Sequence, residues 1–180
     1  MVIYTIGHST HAFRDFAALL VAHDITAIAD VRRFPASRRH PHFAREPLEE
    51  SLATHGISYA WMEALGGRRR ARPDSPHVAW TNEAFRGYAD HMDTPEFQEA
   101  LAQVVEQART LTTAVLCAEA VSWRCHRQLI ADALVARGCQ VRHVLGLESA
   151  PPHHLTAFAR VDGVRIRYDG GQLALGGSRR

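Results

Sequence analysis

The chain has 180 residues, 46% hydrophobic and 22% charged, with a formal net charge of +2; this suits one globular domain with a sizeable core and selects no class of partner. All 21 basic residues are arginine, which excludes Schiff-base lysine chemistry, a lysine general base and the phosphate-binding lysine of a P-loop. Cys117, Cys125 and Cys139 form neither a fully paired disulfide framework nor a C-x-x-C motif, and with no leader and no apolar run near the ~20 residues that cross a bilayer, the chain reads as a soluble cytoplasmic protein with reduced thiols and no membrane partner.

Val2 to Ile6 is a β-branched run that reads as a strand ending in Gly7-His8-Ser9-Thr10. Ser9 or Thr10 is placed to cap a helix whose Phe13, Phe16, Leu19 and Leu20 recur at helical spacing. Thr26 to Val31 reads as a second strand, after which Pro35 keeps a helix from following at once. Pro47 to His55 reads as a helix opened by proline and closed by Gly56. Ile57 to Met62 is extended and leads into the loop Leu65-Gly66-Gly67-Arg68-Arg69-Arg70. Asn82 to Met92 places Phe85, Tyr88 and Met92 on one helical face, which reads as core. Thr94-Pro95-Glu96 then caps and opens a helix running to about Arg109. Thr113 to Cys117 is a strand, Arg124 to Arg137 a helix closed by Gly138, and Gln140 to Leu145 another strand, with Cys139 as packing. Thr156 to Val161 and Val164 to Tyr168 flank Asp162-Gly163, a hairpin signal.

Helices interleaved with short apolar strands predict an α/β fold: a single domain over residues 1–180, with a largely parallel sheet flanked by helices and a C-terminal β-hairpin. In such sheets ligands bind beyond the carboxyl ends of the strands, and three polar clusters fall there. His8 offers an imidazole acid/base and Ser9 a hydroxyl at a helix start that favours anions. Asp30 and Arg32, two apart, share a sheet face, either as an ion pair or with Asp30 orienting Arg32 for bidentate anion recognition; Ser37 extends that pocket.

The richest segment is Cys117-Ala118-Glu119 followed by Arg124-Cys125-His126-Arg127. A cysteine at a helix N-terminus among basic residues favours thiolate, so Cys125 is a candidate nucleophile, Glu119 a general acid/base and Arg127 an anion ligand. Cys117, Cys125 and His126, with His8 as a further donor, also fit a zinc site, although their spacing matches no closed zinc motif. Cys117 and Cys125 equally fit a reversible redox pair, and buried structural thiols beside a helix cap fit as well. The run Gly66-Gly67-Arg68-Arg69-Arg70-Ala71-Arg72 lies between Trp61 and Trp80, and it reads as a solvated loop, a lid over an anion, or a phosphate-contacting surface.

These features predict a hydrolase or group transferase with Cys125, Glu119 and His8 as catalytic residues. Arg32, Arg127, Ser9, Ser37 and Arg68 would bind a phosphorylated, nucleotide-like or other anionic small molecule. The alternative is a nucleic-acid-binding or thiol-redox/metal-sensing module using Arg68 to Arg72 with Cys117, Cys125 and His126. Hydride transfer fits less well, because no G-x-G-x-x-G follows the first strand.

Thr5-Ile6-Gly7-His8-Ser9-Thr10, Asp30-Val31-Arg32 with Pro35 and Ser37, and Leu65-Gly66-Gly67-Arg68 together resemble a bacterial and archaeal family, domain of unknown function 488. Phe85-Arg86-Gly87-Tyr88-Ala89, Cys117-Ala118-Glu119, Trp123-Arg124-Cys125-His126-Arg127 and Leu155 to Val161 continue the resemblance in order. It implies a single α/β domain and supplies no reaction.

Overall fold

The structure, a computed structural model, describes residues 1–36 and 38–170. Its apolar and β-branched runs form β1 (Val2–Gly7), β2 (Ala27–Asp30), β3 (Ser58–Trp61), β4 (Thr113–Cys117) and β5 (Gln140–His143). These strands are parallel throughout and lie in the order β3-β2-β4-β1-β5. Between them run α1 (Phe13–Ala22), α2 (Arg45–Ala53), α3 (Glu83–Met92), α4 (Pro95–Gln107) and α5 (Arg127–Ala136). The protein is thus an α/β fold with a parallel sheet flanked by helices.

Side-chain alternation along the strands divides the core in two. In β4, Ala114 and Leu116 pack with Phe16 and Leu20 of α1 and Leu48 and Leu52 of α2. Val115 and Cys117 face the other way, among Tyr88, Phe97, Leu101, Leu129 and Ile130 of α3, α4 and α5. All five β4 residues are buried, as a central strand covered on both faces requires. Local signals set several helix starts: Asn82 accepts from the Ala84 and Phe85 amides at α3, and Thr94 caps α4 with Pro95 in its first turn.

Elsewhere the boundaries move for identifiable reasons. Neither Ser9 nor Thr10 caps α1, which starts after Ala12 without a side-chain cap. Ser9 instead sits at φ 47° and donates its amide to the Ala118 carbonyl at 2.9 Å, carrying the chain across the end of β4. Pro47 does not open α2 but lies in a first turn begun by Arg45, where its missing amide has no intrahelical partner to lose. α5 begins at Arg127 rather than Arg124, because a 3-10 turn over Ser122–Arg124 and an extended Cys125 precede it.

The C-terminal hairpin pairs β6 (Arg160–Asp162) with β7 (Arg165–Arg167) as a separate two-stranded sheet. Asp162 is opposite Arg165, so the two-residue loop is Gly163-Val164 rather than Asp162-Gly163. Gly163 supplies the positive φ, 60°, at its first position. The hairpin is tied to the main body by buried Ile166 and Tyr168 and by a chain of polar groups. Asp132 of α5 accepts from Thr156 (amide 2.9 Å, hydroxyl 2.7 Å), from the Tyr168 hydroxyl at 2.8 Å and from His153 Nε2 at 2.8 Å. His153 Nδ1 then meets His143 Nε2 at 3.0 Å, and His143 Nδ1 meets the Thr5 hydroxyl at 2.7 Å.

Topology fixes where a ligand fits. The chain leaves β1 through α1 toward β2, and leaves β4 through α5 in the opposite direction toward β5, with α1 and α5 on opposite faces. Because β1 and β4 are neighbours, a crevice opens between their carboxyl ends, at Gly7 opposite Cys117. Among the described residues no helix is long and apolar enough to cross a membrane.

Candidate functional site

Gly7 sits directly beneath the turn that follows β4. A Cβ there would lie 1.8 Å from the Glu119 carbonyl oxygen, so only glycine lets the two strand ends approach this closely. Ladder bonds continue past the strands, from the His8 amide to the Cys117 carbonyl at 3.0 Å and from Val31 to Leu116 at 3.0 Å. Cys117, the last β4 residue, presents Sγ 2.8 Å from Glu119 Oε2. Cys125 lies just ahead of α5, and the Arg127 amide donates to its Sγ at 3.5 Å. His126 Nε2 donates to the Val31 carbonyl at 3.0 Å, which turns Nδ1 toward Cys125 Sγ, 3.7 Å away. Gly67 is required beside that ring, since a Cβ would fall 2.8 Å from Nδ1.

The two thiols titrate in opposite directions. Burial alone would push Cys125 up, but hydrogen bonds from Cys117 and His126 and the nearby Arg127 charge outweigh it, holding Cys125 well below the ordinary thiol value. Cys117 moves well above it, because its proton is held in the contact with Cys125 and burial adds to the effect. Cys117, Cys125 and His126 bring their donor atoms within 4.8 Å of one another.

These groups line a cavity of about 400 Å³ together with Arg32, Arg33, Arg68 and Arg124 and the rings of Phe34, Phe85 and Tyr88. That volume suits a small organic ligand. Arg68 occupies it from a left-handed backbone, φ 59°, a conformation that costs a non-glycine residue about 1 kcal/mol. The remaining arginines of its loop diverge. Arg69 turns back to the Gly66 and Ala64 carbonyls at 3.0 and 3.2 Å, and Arg72 approaches Asp90 at 3.5 Å.

Arg32 is both paired and at the cavity. Its Nε lies 2.9 Å from Asp30 Oδ1, its Nη1 donates to the Phe43 carbonyl at 2.6 Å, and Tyr59 donates to Asp30 at 2.7 Å. The Asp30 pair therefore occupies the bidentate edge, and with Nη1 shared between the Phe43 carbonyl and His8, only the second Nη2 N–H is left to meet a ligand. His8 stands behind Arg32, stacked on Phe43 at 4.3 Å, with Nδ1 donating to the Ser9 carbonyl at 3.0 Å and Nε2 3.4 Å from Arg32 Nη1. Burial and the Arg32 charge push its pKa down to about 4. With both nitrogens engaged and no lining contact, His8 positions Arg32 rather than facing the cavity.

Arg127 is likewise removed from the cavity: it is buried, and its Nη2 donates to the Glu119 carbonyl, bracing the turn above Gly7. Ser9 contributes backbone bonds and does not line the cavity, and Ser37 lies outside the described residues. The structure thus gathers Cys117, Glu119, Cys125, His126, Arg32 and Arg68, and sets His8, Ser9 and Arg127 around them as support. Tyr88, read from its spacing as core, is core and cavity wall at once, with its hydroxyl donated to the Leu65 carbonyl at 2.7 Å. Arg33 and Phe34 are additional lining residues whose only sequence signal is adjacency to Arg32.

Comparison with known proteins gives one match. The family model described as Domain of unknown function DUF488 covers residues 12–134, a stretch holding Arg32, Arg68 and the whole Cys117 to Arg127 segment. No curated protein and no solved structure matches the chain.

Proposed function

Because the chain belongs to the DUF488 family, whose description names no reaction, we propose from the geometry that the cavity hydrolyses or transfers a group from an anionic, phosphorylated small molecule, with Cys125 as nucleophile. The observation that carries this reading is the Cys125 sulfur between the α5 amide end and His126 Nδ1, in a cavity lined by four arginines. Arg68, Arg124, Arg33 and the remaining Nη2 N–H of Arg32 bind the anion. The thiolate attacks the phosphorus, the sulfur–phosphorus bond forms, and the bond to the leaving oxygen breaks. Glu119, which lines the cavity, exchanges protons with the leaving atom and then with the water or acceptor hydroxyl that releases the group.

The test is turnover of an aryl phosphate with mass spectrometry of the trapped enzyme. A phosphoryl adduct on Cys125 is expected, with a loss of at least about a thousand-fold in rate for Cys125→Ser. A C125S variant that keeps the wild-type rate refutes the assignment.

A further inference from the structure

The two sulfurs at the floor of the cavity are chemically unequal. Cys125 meets the amide of Arg127 at 3.5 Å and His126 Nδ1 at 3.7 Å, the surroundings of an attacking thiolate. Cys117, within 4.8 Å of it, instead points its thiol at Glu119 Oε2, 2.8 Å away, the surroundings of a thiol deprotonated on demand. Cys139 lies elsewhere, before β5, in the apolar core. Both cavity sulfurs are nearly closed to solvent, at 4% and 3% exposure, so a protein disulfide cannot reach them whereas a small oxidant in the cavity can.

We propose that Cys125 and Cys117 form a redox pair that reduces a hydroperoxide admitted to the cavity, Cys117 resolving oxidised Cys125 with Glu119 as its base. This rests on the same nucleophile as the proposed group transfer and adds a second activity to it. In the first step the Cys125 thiolate attacks the terminal peroxide oxygen. A sulfur–oxygen bond forms, the oxygen–oxygen bond breaks, and the alkoxide leaves as alcohol with the proton that His126 Nδ1 took from the thiol. Cys125 is now a sulfenic acid, oxidised by two electrons, and the peroxide is reduced. In the second step Cys117 gives its proton to Glu119 and attacks the Cys125 sulfur. The disulfide forms, the sulfur–oxygen bond breaks, and the departing hydroxide takes the proton from Glu119 as water. A cellular thiol or dithiol then returns both cysteines to the reduced state by exchange. The lining arginines stabilise the departing oxyanion and favour hydroperoxides that carry a carboxylate.

The experiment treats the reduced full chain with one equivalent of hydrogen peroxide, blocks remaining thiols and maps the cysteines by mass spectrometry. The expected product is a Cys117–Cys125 disulfide reversed by dithiothreitol, with Cys139 still free. Cys117→Ser is expected to stop at a Cys125 sulfenate trapped by a cyclic 1,3-dione. Glu119→Gln is expected to slow disulfide closure relative to the first oxidation by about ten-fold or more. A disulfide through Cys139, closure unchanged in E119Q, or a stoichiometric metal occupying the sulfurs of protein purified without chelator overturns the proposal. If no disulfide forms while Cys125 still takes up a phosphoryl group, the redox inference falls and the group transfer stands. If Cys125 takes up neither, both fall.

Discussion

Arg32 shows how a single side chain ties stability to the site. Its guanidinium meets Asp30 through Nε and Nη2, the Phe43 carbonyl through Nη1 and the edge of His8, all in a buried setting. A lysine ammonium cannot span those directions, so Arg32→Lys leaves part of the Asp30 carboxylate and the Phe43 carbonyl unsatisfied. A loss of about 3 kcal/mol is expected in urea unfolding, together with weaker anion binding; a change below about 0.5 kcal/mol contradicts the pairing geometry. The i,i+2 relation of Asp30 and Arg32 is legible in sequence because strand alternation is local. The partners Tyr59, Phe43 and His8 are not, since they arrive from three other elements. For the same reason His8 reads as an acid/base in sequence and turns out to have both nitrogens engaged.

At the scale of elements, α5 carries two functions on one rod. Its amino end serves Cys125, and its middle residue Asp132 holds the segment from His153 to Tyr168. Asp132→Asn replaces an acceptor-only carboxylate, surrounded by donors, with a group that brings N–H bonds of its own. A loss of about 3 kcal/mol is expected, with faster amide exchange across residues 153–168 and little change in β1 and β4. Uniform loss of protection through the sheet contradicts a local clamp.

His143 of that network and His8 beside Arg32 together predict acid sensitivity. Burial and the neighbouring His153 push His143 down to about 4, and burial and Arg32 do the same to His8. Both are neutral when folded but accept protons near 6.5 when unfolded, so the unfolded state binds more protons between those values. Stability therefore falls as pH drops from about 6.5 to 4, by roughly 2 kcal/mol per histidine, and levels off below. Thermal unfolding followed from pH 7.5 to 4 measures this, and a midpoint independent of pH removes the buried-histidine account. Helix and strand positions are largely legible because Asn82, Thr94 and the apolar run of β4 act locally. The Asp132 network is not, because His143, His153 and Thr156 are scattered in sequence and Thr5 lies at the far end of the chain.

Considered as a whole, the molecule carries little net charge yet concentrates four arginines on one cavity. Anions are therefore expected to compete for it. Sulfate or phosphate should slow alkylation of Cys125 by iodoacetamide in a saturable way, and Arg68→Ala should weaken that protection about five-fold or more, one charge-assisted contact being worth roughly 1 kcal/mol at the surface. Equal protection by chloride at matched ionic strength points to screening rather than a site. The parallel α/β class is legible from alternation of elements. The strand order is not, because no local feature of β4 announces that it will lie between β1 and β2.

That insertion has a consequence for how the protein is made. A ribosome delivers β1, β2 and β3 well before β4, so the nascent chain holds the β2-β3 pair and an unpaired β1 with nothing to join them. The facing edges of β1 and β2 stay open until the stretch Thr113–Cys117 emerges and fills the slot. Such exposed edges invite pairing with other chains, which makes this interval the aggregation-prone stage of biosynthesis and a natural moment for chaperone engagement. The cavity can exist only after the slot is filled. A nascent chain stalled before Thr113 should accordingly remain open to protease, and one extended through α5 should gain resistance in a single step.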